Sequence, residues 1–237
     1  MPFDHVRLAG VQRLLETVTN DSGALGAMDA VDKAALAAGG DPLYDFWFDY
    51  VGLSPVALDL TASVARGVAT TRWGFANLGP DALDHLAAST VEGGVVEVGA
   101  GTGYLAALLA GRGVDVVAAD LGREFSSEIA NAYHSRTGAF FDVLHDGPEL
   151  AARFPQRTLL LAWPPHLDPM AVRALQEFTA AGGVRLAYVG EPDGGCTADD
   201  AFHETLSTQW VETSRVPTAR WPGAHDDLFV YRRDLGP

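Results

Sequence analysis

The chain has 237 residues, 48% of them apolar, and 16 lysine and arginine residues against 31 acidic ones, for a formal charge of -15. A chain of this size can bury one sizeable core, so a single domain with an elaborated end is expected rather than two independent units. The acidic field repels phosphate backbones and anionic lipid, which argues against nucleic acid and membrane as partners and favours a neutral or cationic small molecule.

At the amino terminus, MPFDHVRLAG lacks the basic region and apolar run of a signal peptide, and no later stretch reaches membrane-spanning length, so a cytoplasmic protein is expected. Val6, Val11, Leu14, Leu15 and Val18 recur at helical spacing. A second, alanine-rich helix over Ala24 to Ala38 stops at Gly39-Gly40-Asp41-Pro42. The aromatic-dense stretch from Leu43 to Tyr50 either walls a pocket or packs a helix onto the core, and core packing is the simpler reading because aromatics bury so much area. Ser54-Pro55 reads as an N-cap and first turn for a helix to about Ala69, and Gly79-Pro80-Asp81 opens another to about Ala88. Residues 1–90 are thus expected to form a helical cap, and residues 91–237 the core.

From Gly93 the pattern changes to short apolar runs, each suited to a strand buried on both faces: Val95 to Val98, Val114 to Ala119, Phe140 to Leu144, Thr158 to Ala162 and Val184 to Val189. Helical segments over Tyr104 to Arg112, Glu124 to Ser135 and Pro169 to Ala181 separate them. This alternation implies an α/β fold of Rossmann-like type, a mainly parallel sheet flanked by helices. Trp210 to Val216 and Leu228 to Arg232 return as a closing antiparallel hairpin. Cys196, the single cysteine, excludes an intramolecular disulfide and a cysteine-cluster metal site, and is expected as an ordinary buried thiol. No defensible metal-ligand set emerges, and the oligomeric state, monomer or homo-oligomer, is left open.

The most informative segment is Glu97-Val98-Gly99-Ala100-Gly101-Thr102-Gly103, a buried strand running through glycines into a helix. Glycines belong where a ligand approaches main-chain N–H groups and where a sharp turn needs positive φ. A dinucleotide fingerprint would need its third glycine at Tyr104, so NAD is not the first choice. The second strand ends at Asp120, where a carboxylate can accept the hydroxyl hydrogens of a nucleoside ribose or cap the next helix.

These two features together resemble the class I S-adenosylmethionine-dependent methyltransferases. The segment from Glu97 to Gly103 is similar to the family's motif I, Asp120 falls at its ribose-binding acid, and the resemblance spans roughly Gly93 to Arg233. It implies S-adenosylmethionine as the cofactor, with Gly99, Ala100, Gly101 and Gly103 bordering its methionine and ribose parts. Glu97 would support the loop or the amino group, and Asp146, with Asp142 nearly as well placed, would reach the adenine amino group.

The fourth strand ends in Trp163-Pro164-Pro165-His166, which resembles the Asn-Pro-Pro-Tyr motif of amino-methyltransferases with Trp163 as a cofactor-side residue. Trp163 cannot accept amine hydrogens, and His166 replaces the stacking aromatic. The prolines are expected to expose carbonyl groups toward the cofactor. His166 is the candidate general base, with bracing of the proline turn as the alternative. Glu191, at the end of the fifth strand, is a second candidate catalytic or acceptor-binding group. Thr197, Asp199 and Asp200 read as helix caps. The expected function is methyl transfer to a small-molecule acceptor on oxygen or nitrogen. The competitors are an S-adenosylmethionine-binding protein that does not methylate or catalyses another reaction, and an NAD-dependent oxidoreductase.

Overall fold

A computed structural model describes residues 22–51, 60–121 and 138–236. The expected helices over Val6 to Val18 and Glu124 to Ser135, and the Ser54-Pro55 cap, lie outside these residues. Helices α1 (Ser22–Ala37), α2 (Pro42–Val51), α3 (Leu60–Arg72) and α4 (Gly79–Ser89) precede β1 (Val95–Val98). They are followed by α5 (Tyr104–Ala110), β2 (Val116–Ala119), β3 (Val143–Leu144), a 3-10 helix (Pro148–Arg153), β4 (Thr158–Ala162) and α6 (Met170–Ala180). The chain closes with β5 (Arg185–Gly190), α7 (Asp200–Gln209), β6 (Trp210–Pro217) and β7 (Asp227–Arg233). Among the described residues no helix is long and apolar enough to cross a membrane.

The strands form a 7-stranded sheet of order β3-β2-β1-β4-β5-β7-β6. Strands β1 to β5 pair in parallel, and β7 enters antiparallel between β5 and β6. The expected Rossmann-like sheet and closing hairpin are therefore present. Strand order reverses at β1, which runs into the glycine turn, so the crevice beyond the carboxyl ends of β1 and β4 is the place where such sheets bind ligands.

Successive residues of each strand feed opposite faces. Val95, Leu160, Ala187 and Leu228 pack with the cap helices, whereas Val96, Leu159, Leu161 and Leu186 pack with α6 and α7. The aromatic helix α2 buries Leu43, Phe46 and Tyr50, spaced three and four apart, and leaves Phe48 outside. Core packing therefore accounts for that stretch. The guanidinium of Arg72, itself buried, ties α3 to α1, with Nε donating to Asp32 at 2.7 Å and Nη1 3.0 Å from Asp29. The indole N–H of Trp73 shares the Asp32 carboxylate at 2.6 Å.

Two expectations need correction here. The third strand is shorter than Phe140 to Leu144, because the Phe140 N–H donates to Thr102 O (2.9 Å) and draws that end onto the glycine turn, leaving only Val143 and Leu144 to pair with β2. Cys196 is exposed, not buried. Asp199, in contrast, caps α7 as expected, its Oδ1 accepting from Phe202 N at 2.9 Å.

Gly103 (φ 73) sits against the same third-strand segment, where a Cβ would meet Val143 Cγ2 at 2.7 Å and Phe141 Cβ at 2.9 Å. Substitution Gly103→Ala is expected to destabilise the chain by about 2 kcal/mol or more, from left-handed strain plus overpacking. A denaturant midpoint equal to the wild type would show that neither acts.

Candidate active site

The turn after β1 takes positive φ at Gly99 (79°), Gly101 (55°) and Gly103 (73°), the conformation that glycine accepts without a Cβ penalty. Its main chain is anchored at once to β2: the N–H groups of Gly99 and Ala100 both donate to Ala119 O at 2.9 Å. Asp120 Oδ2 accepts the Gly101 N–H at 2.8 Å. Asp120 therefore positions the glycine turn as well as standing at the end of β2, and it is buried.

Beyond these strand ends lies a cleft of about 590 Å³. The structure brings Glu97, Gly99, Ala100, Gly101, Asp120, Asp146, Trp163 and His166 into its lining, together with Trp73, Phe75, Asp168, Met170 and Cys196. Gly103 does not line the cleft. Its lack of a side chain serves the contact with Phe141 and Val143 instead. Asp142 is exposed and also stands outside the lining, so Asp146 is the better placed of the two. Asp146 is already engaged, accepting from Gly147 N at 2.9 Å and pairing with Arg153.

Glu97 is the electrostatic singularity of the cleft. It is 2% exposed, and its Oε2 is buried with no hydrogen-bond partner in the protein. Burial first, and the neighbouring Asp120 charge second, push its carboxyl up to about 8. A buried ionisable group left so poorly matched is a marker of function. The acidic side chains of the described lining are Glu97, Asp120, Asp146 and Asp168, and no lysine or arginine is among the described lining residues.

The edge after β4 departs from the sequence expectation in its proline carbonyls. Pro164 O accepts from Ala198 N at 3.0 Å and Pro165 O from Asp168 N at 3.4 Å, so both oxygens are occupied within the protein. Leu167 N donates to Ala198 O at 3.1 Å, completing the brace. The turn is held by main-chain bonds, not by the imidazole of His166, which is exposed at the cleft rim. Trp163 has a left-handed backbone (φ 49), which costs on the order of 1–3 kcal/mol for a bulky residue and persists only where its surroundings enforce it. Its N–H donates to Val189 O at 2.7 Å and its ring stacks on Phe75 at 5.8 Å and 22°.

Glu191 is not in the cleft. Its side chain is buried, with Oε1 accepting from His225 N at 2.8 Å and Oε2 from Cys196 N at 2.7 Å. Burial alone would raise its carboxyl, but these N–H donors outweigh it and hold the group below the usual range. The charge staples the loop after β5 to the loop before β7, which gives a carboxylate at that strand end a structural role. Thr197 likewise serves this loop, its Oγ1 accepting from Glu191 N at 2.8 Å, and is not the helix cap.

Sequence reasoning missed Trp73 and Phe75, whose signal is the Trp73-Gly74-Phe75 break between two helices. Asp226, which with His225 and Asp227 makes no defensible metal-ligand set in sequence, is 1% exposed and accepts the Trp163 indole N–H at 3.2 Å through Oδ2.

The cap is bonded to the glycine turn itself: Thr102 Oγ1 donates to Trp73 O at 2.9 Å, and the Tyr104 hydroxyl donates to Asp41 Oδ1 at 2.8 Å while accepting from Leu43 N at 2.9 Å. Trp73 and Phe75, from the segment after α3, thereby close one wall of the cleft.

No protein-family model matches the chain, and no curated protein matches it in sequence. Among solved structures, it is similar to magnesium protoporphyrin IX methyltransferase from Synechocystis PCC 6803. With bound S-adenosylhomocysteine that protein is 13% identical, the match covering 81% of this chain and 94% of that one at a TM-score of 0.43. With bound S-adenosylmethionine the values are 12%, 87%, 97% and 0.41. A structure described under "Conversion of a Disulfide Bond into a Thioacetal Group during Echinomycin Biosynthesis" is 19% identical over 74% of this chain and 92% of that one, with a TM-score of 0.42.

Proposed function

We propose that the chain is an S-adenosylmethionine-dependent methyltransferase acting on a small-molecule acceptor. The observation that carries this reading is the orphaned, buried carboxyl of Glu97 in a cleft whose described acidic and basic lining side chains are all acidic. Such a cleft suits a ligand that is itself cationic and opposes one that brings phosphates. The Gly101 N–H, which a dinucleotide's pyrophosphate would need, is already taken by Asp120. Both features favour a sulfonium nucleoside over NAD.

In this reading Asp120 holds the ribose hydroxyls and the glycine turn together, Glu97 faces the cofactor's ammonium group, and Asp146 borders the adenine. When bound, S-adenosylmethionine would supply an electrophilic methyl group on a sulfonium sulfur, which would leave as the neutral thioether. The protein's part is then alignment and exclusion of water, which the aromatic wall of Trp73, Phe75 and Trp163 provides. His166 stands at the rim, free of any role in bracing the proline turn, and is the side chain placed to take a proton from a hydroxyl or amine acceptor. The acceptor's methylated atom is an oxygen or a nitrogen. In this reading the described helices before β1 act as the lid of the cofactor site.

Formation of S-adenosylhomocysteine in the presence of candidate acceptors, with calorimetric titration of S-adenosylmethionine against NAD, tests the assignment. Binding of NAD in preference to the sulfonium compound overturns it. Saturable binding without turnover under any acceptor points instead to a binding protein of the same fold. Within that experiment, Asp120→Ala is expected to weaken cofactor affinity about tenfold or more, the loss of hydrogen bonds to a charged group. An unchanged Kd in a folded variant removes Asp120 from the site.

The raised carboxyl of Glu97 gives a pH test. The folded chain keeps this proton up to about pH 8, whereas an unfolded chain releases it near the ordinary value of 4.5. Stability from this group is therefore full below about 4.5 and is lost as pH rises through about 8. Thermal melts of the ligand-free protein should fall across that window, and Glu97→Gln should flatten the decline. Cofactor binding at pH 7 should release on the order of one proton as Glu97 ionises against the incoming ammonium. Identical binding enthalpies in buffers of different ionisation heat would contradict this.

For His166, substitution by alanine is expected to lower turnover by about 10²–10⁴-fold with cofactor affinity nearly intact. Wild-type turnover with an unaltered pH profile would sink the base assignment.

A further inference from the structure

Trp163 is held by three separate restraints in a backbone conformation that large side chains avoid. Its N–H is bonded to Val189 O, one face of its ring lies on Phe75, and its indole N–H is taken by Asp226. The third restraint is an expensive one. Asp226 is 1% exposed, its Oδ2 also accepts from Thr218 Oγ1 at 3.0 Å, and its Oδ1 is buried without a partner in the protein. A tryptophan that only filled space would need no buried carboxylate, since packing fixes such a ring without the desolvation cost of a charge. What the carboxylate adds is a fixed rotation of the indole, on a residue that lines the cleft.

The sheet order separates this ring from the nucleoside end of the site. Asp120 ends β2, Trp163 follows β4, and β1 runs between them, so the two lie about two strand spacings, or about 10 Å, apart across the sheet. The wall beside the ring is aromatic, with Trp73 and Phe75, and no lysine or arginine is among the described lining residues; the nearby Arg220 is engaged by Asp226 O and Asp227.

We infer that the Trp163 indole, oriented by Asp226, is the platform on which the acceptor lies, and that the acceptor is a flat aromatic or heteroaromatic compound without phosphate or carboxylate. This rests on the methyl-transfer reading of the same cleft. Asp226 acts through Trp163 and is a positioning residue. The aromatic face supplies stacking for a neutral ring and a cation–π contact for a positively charged one.

The test titrates the whole chain, with and without saturating S-adenosylhomocysteine, with quinoline, N-methylquinolinium, quinoline-2-carboxylate and saturated decahydroquinoline, read by tryptophan fluorescence and ligand-observed NMR. Quinoline and N-methylquinolinium should bind, and the carboxylate and the saturated compound should bind at least about tenfold more weakly, the scale of a lost stacking contact or an unpaired anion. Trp163→Leu should weaken the flat probes about tenfold, and by clearly more than it weakens S-adenosylhomocysteine. Asp226→Leu should do the same, while Asp226→Asn, which keeps an acceptor oxygen for the indole, should restore binding to within about twofold. A loss confined to thermal stability in Asp226→Leu, with probe affinity intact, would reduce Asp226 to a structural group and overturn its positioning role. If that variant does not fold, the Trp163→Leu and Asp226→Asn titrations decide. Equal affinity for the saturated or carboxylated probe, or undiminished binding by Trp163→Leu, overturns the platform. Failure of the wild type to bind S-adenosylhomocysteine overturns the cofactor reading instead, and the titrations without it still judge the platform.

Discussion

Two carboxylates that cannot comfortably ionise together, Glu97 and Asp120, are brought into one cleft because β1 and β2 run parallel and end side by side. Everything around the site is arranged about that constraint. Asp120 is given a main-chain N–H from the glycine turn, whereas Glu97 keeps an oxygen without a partner and a carboxyl pushed up to about 8, by burial and then by Asp120. An apolar residue at position 97 would suit the strand better, since Val95, Val96 and Val98 around it are all buried. A strand that carries a glutamate there is less stable for it, and in the proposed reading a ligand that supplies positive charge is the compensation.

The glycine turn also governs the cap. Thr102 of the turn and Tyr104, the first residue of α5, hold Trp73, Asp41 and Leu43, so the segment that closes the cleft is tied to the main chain beside the site. The cap and the sheet share one hydrophobic cluster, in which Phe46, Trp73, Leu83 and Leu86 meet Val95, Leu105, Leu160 and Leu228. The cap's inner face is thus part of the core, and the aromatic edge it leaves over the cleft is what remains after that packing is satisfied.

On the opposite flank, buried carboxylates do the fastening. Glu191 joins the loop after β5 to the loop before β7 by accepting two main-chain N–H groups, and Asp226 on the latter loop reaches the Trp163 indole. Closing the sheet with an antiparallel hairpin therefore does more than cover an edge, because it delivers the side chain that orients the cleft wall.

The sequence by itself determined the sheet and its turning point. The runs Val95 to Val98 and Thr158 to Ala162 are strands with those limits, since an uninterrupted apolar run between polar breaks has one economical fate in a parallel sheet. The glycine turn and the acid at the end of β2 were legible for the same reason, local chemistry at fixed spacing. Only the tertiary structure decided which polar side chains face the cleft. Glu191 reads in sequence like a site residue, yet its charge is spent on the N–H groups of Cys196 and of His225, thirty-four positions on. Gly103 reads like its two neighbouring glycines, yet serves a contact with Phe141 and Val143. Asp226 and Trp163 are sixty-three positions apart, and nothing local joins them. Hydrogen bonds and ring contacts of that separation depend on how the loops cross the carboxyl edge of the sheet, which residue periodicity does not encode.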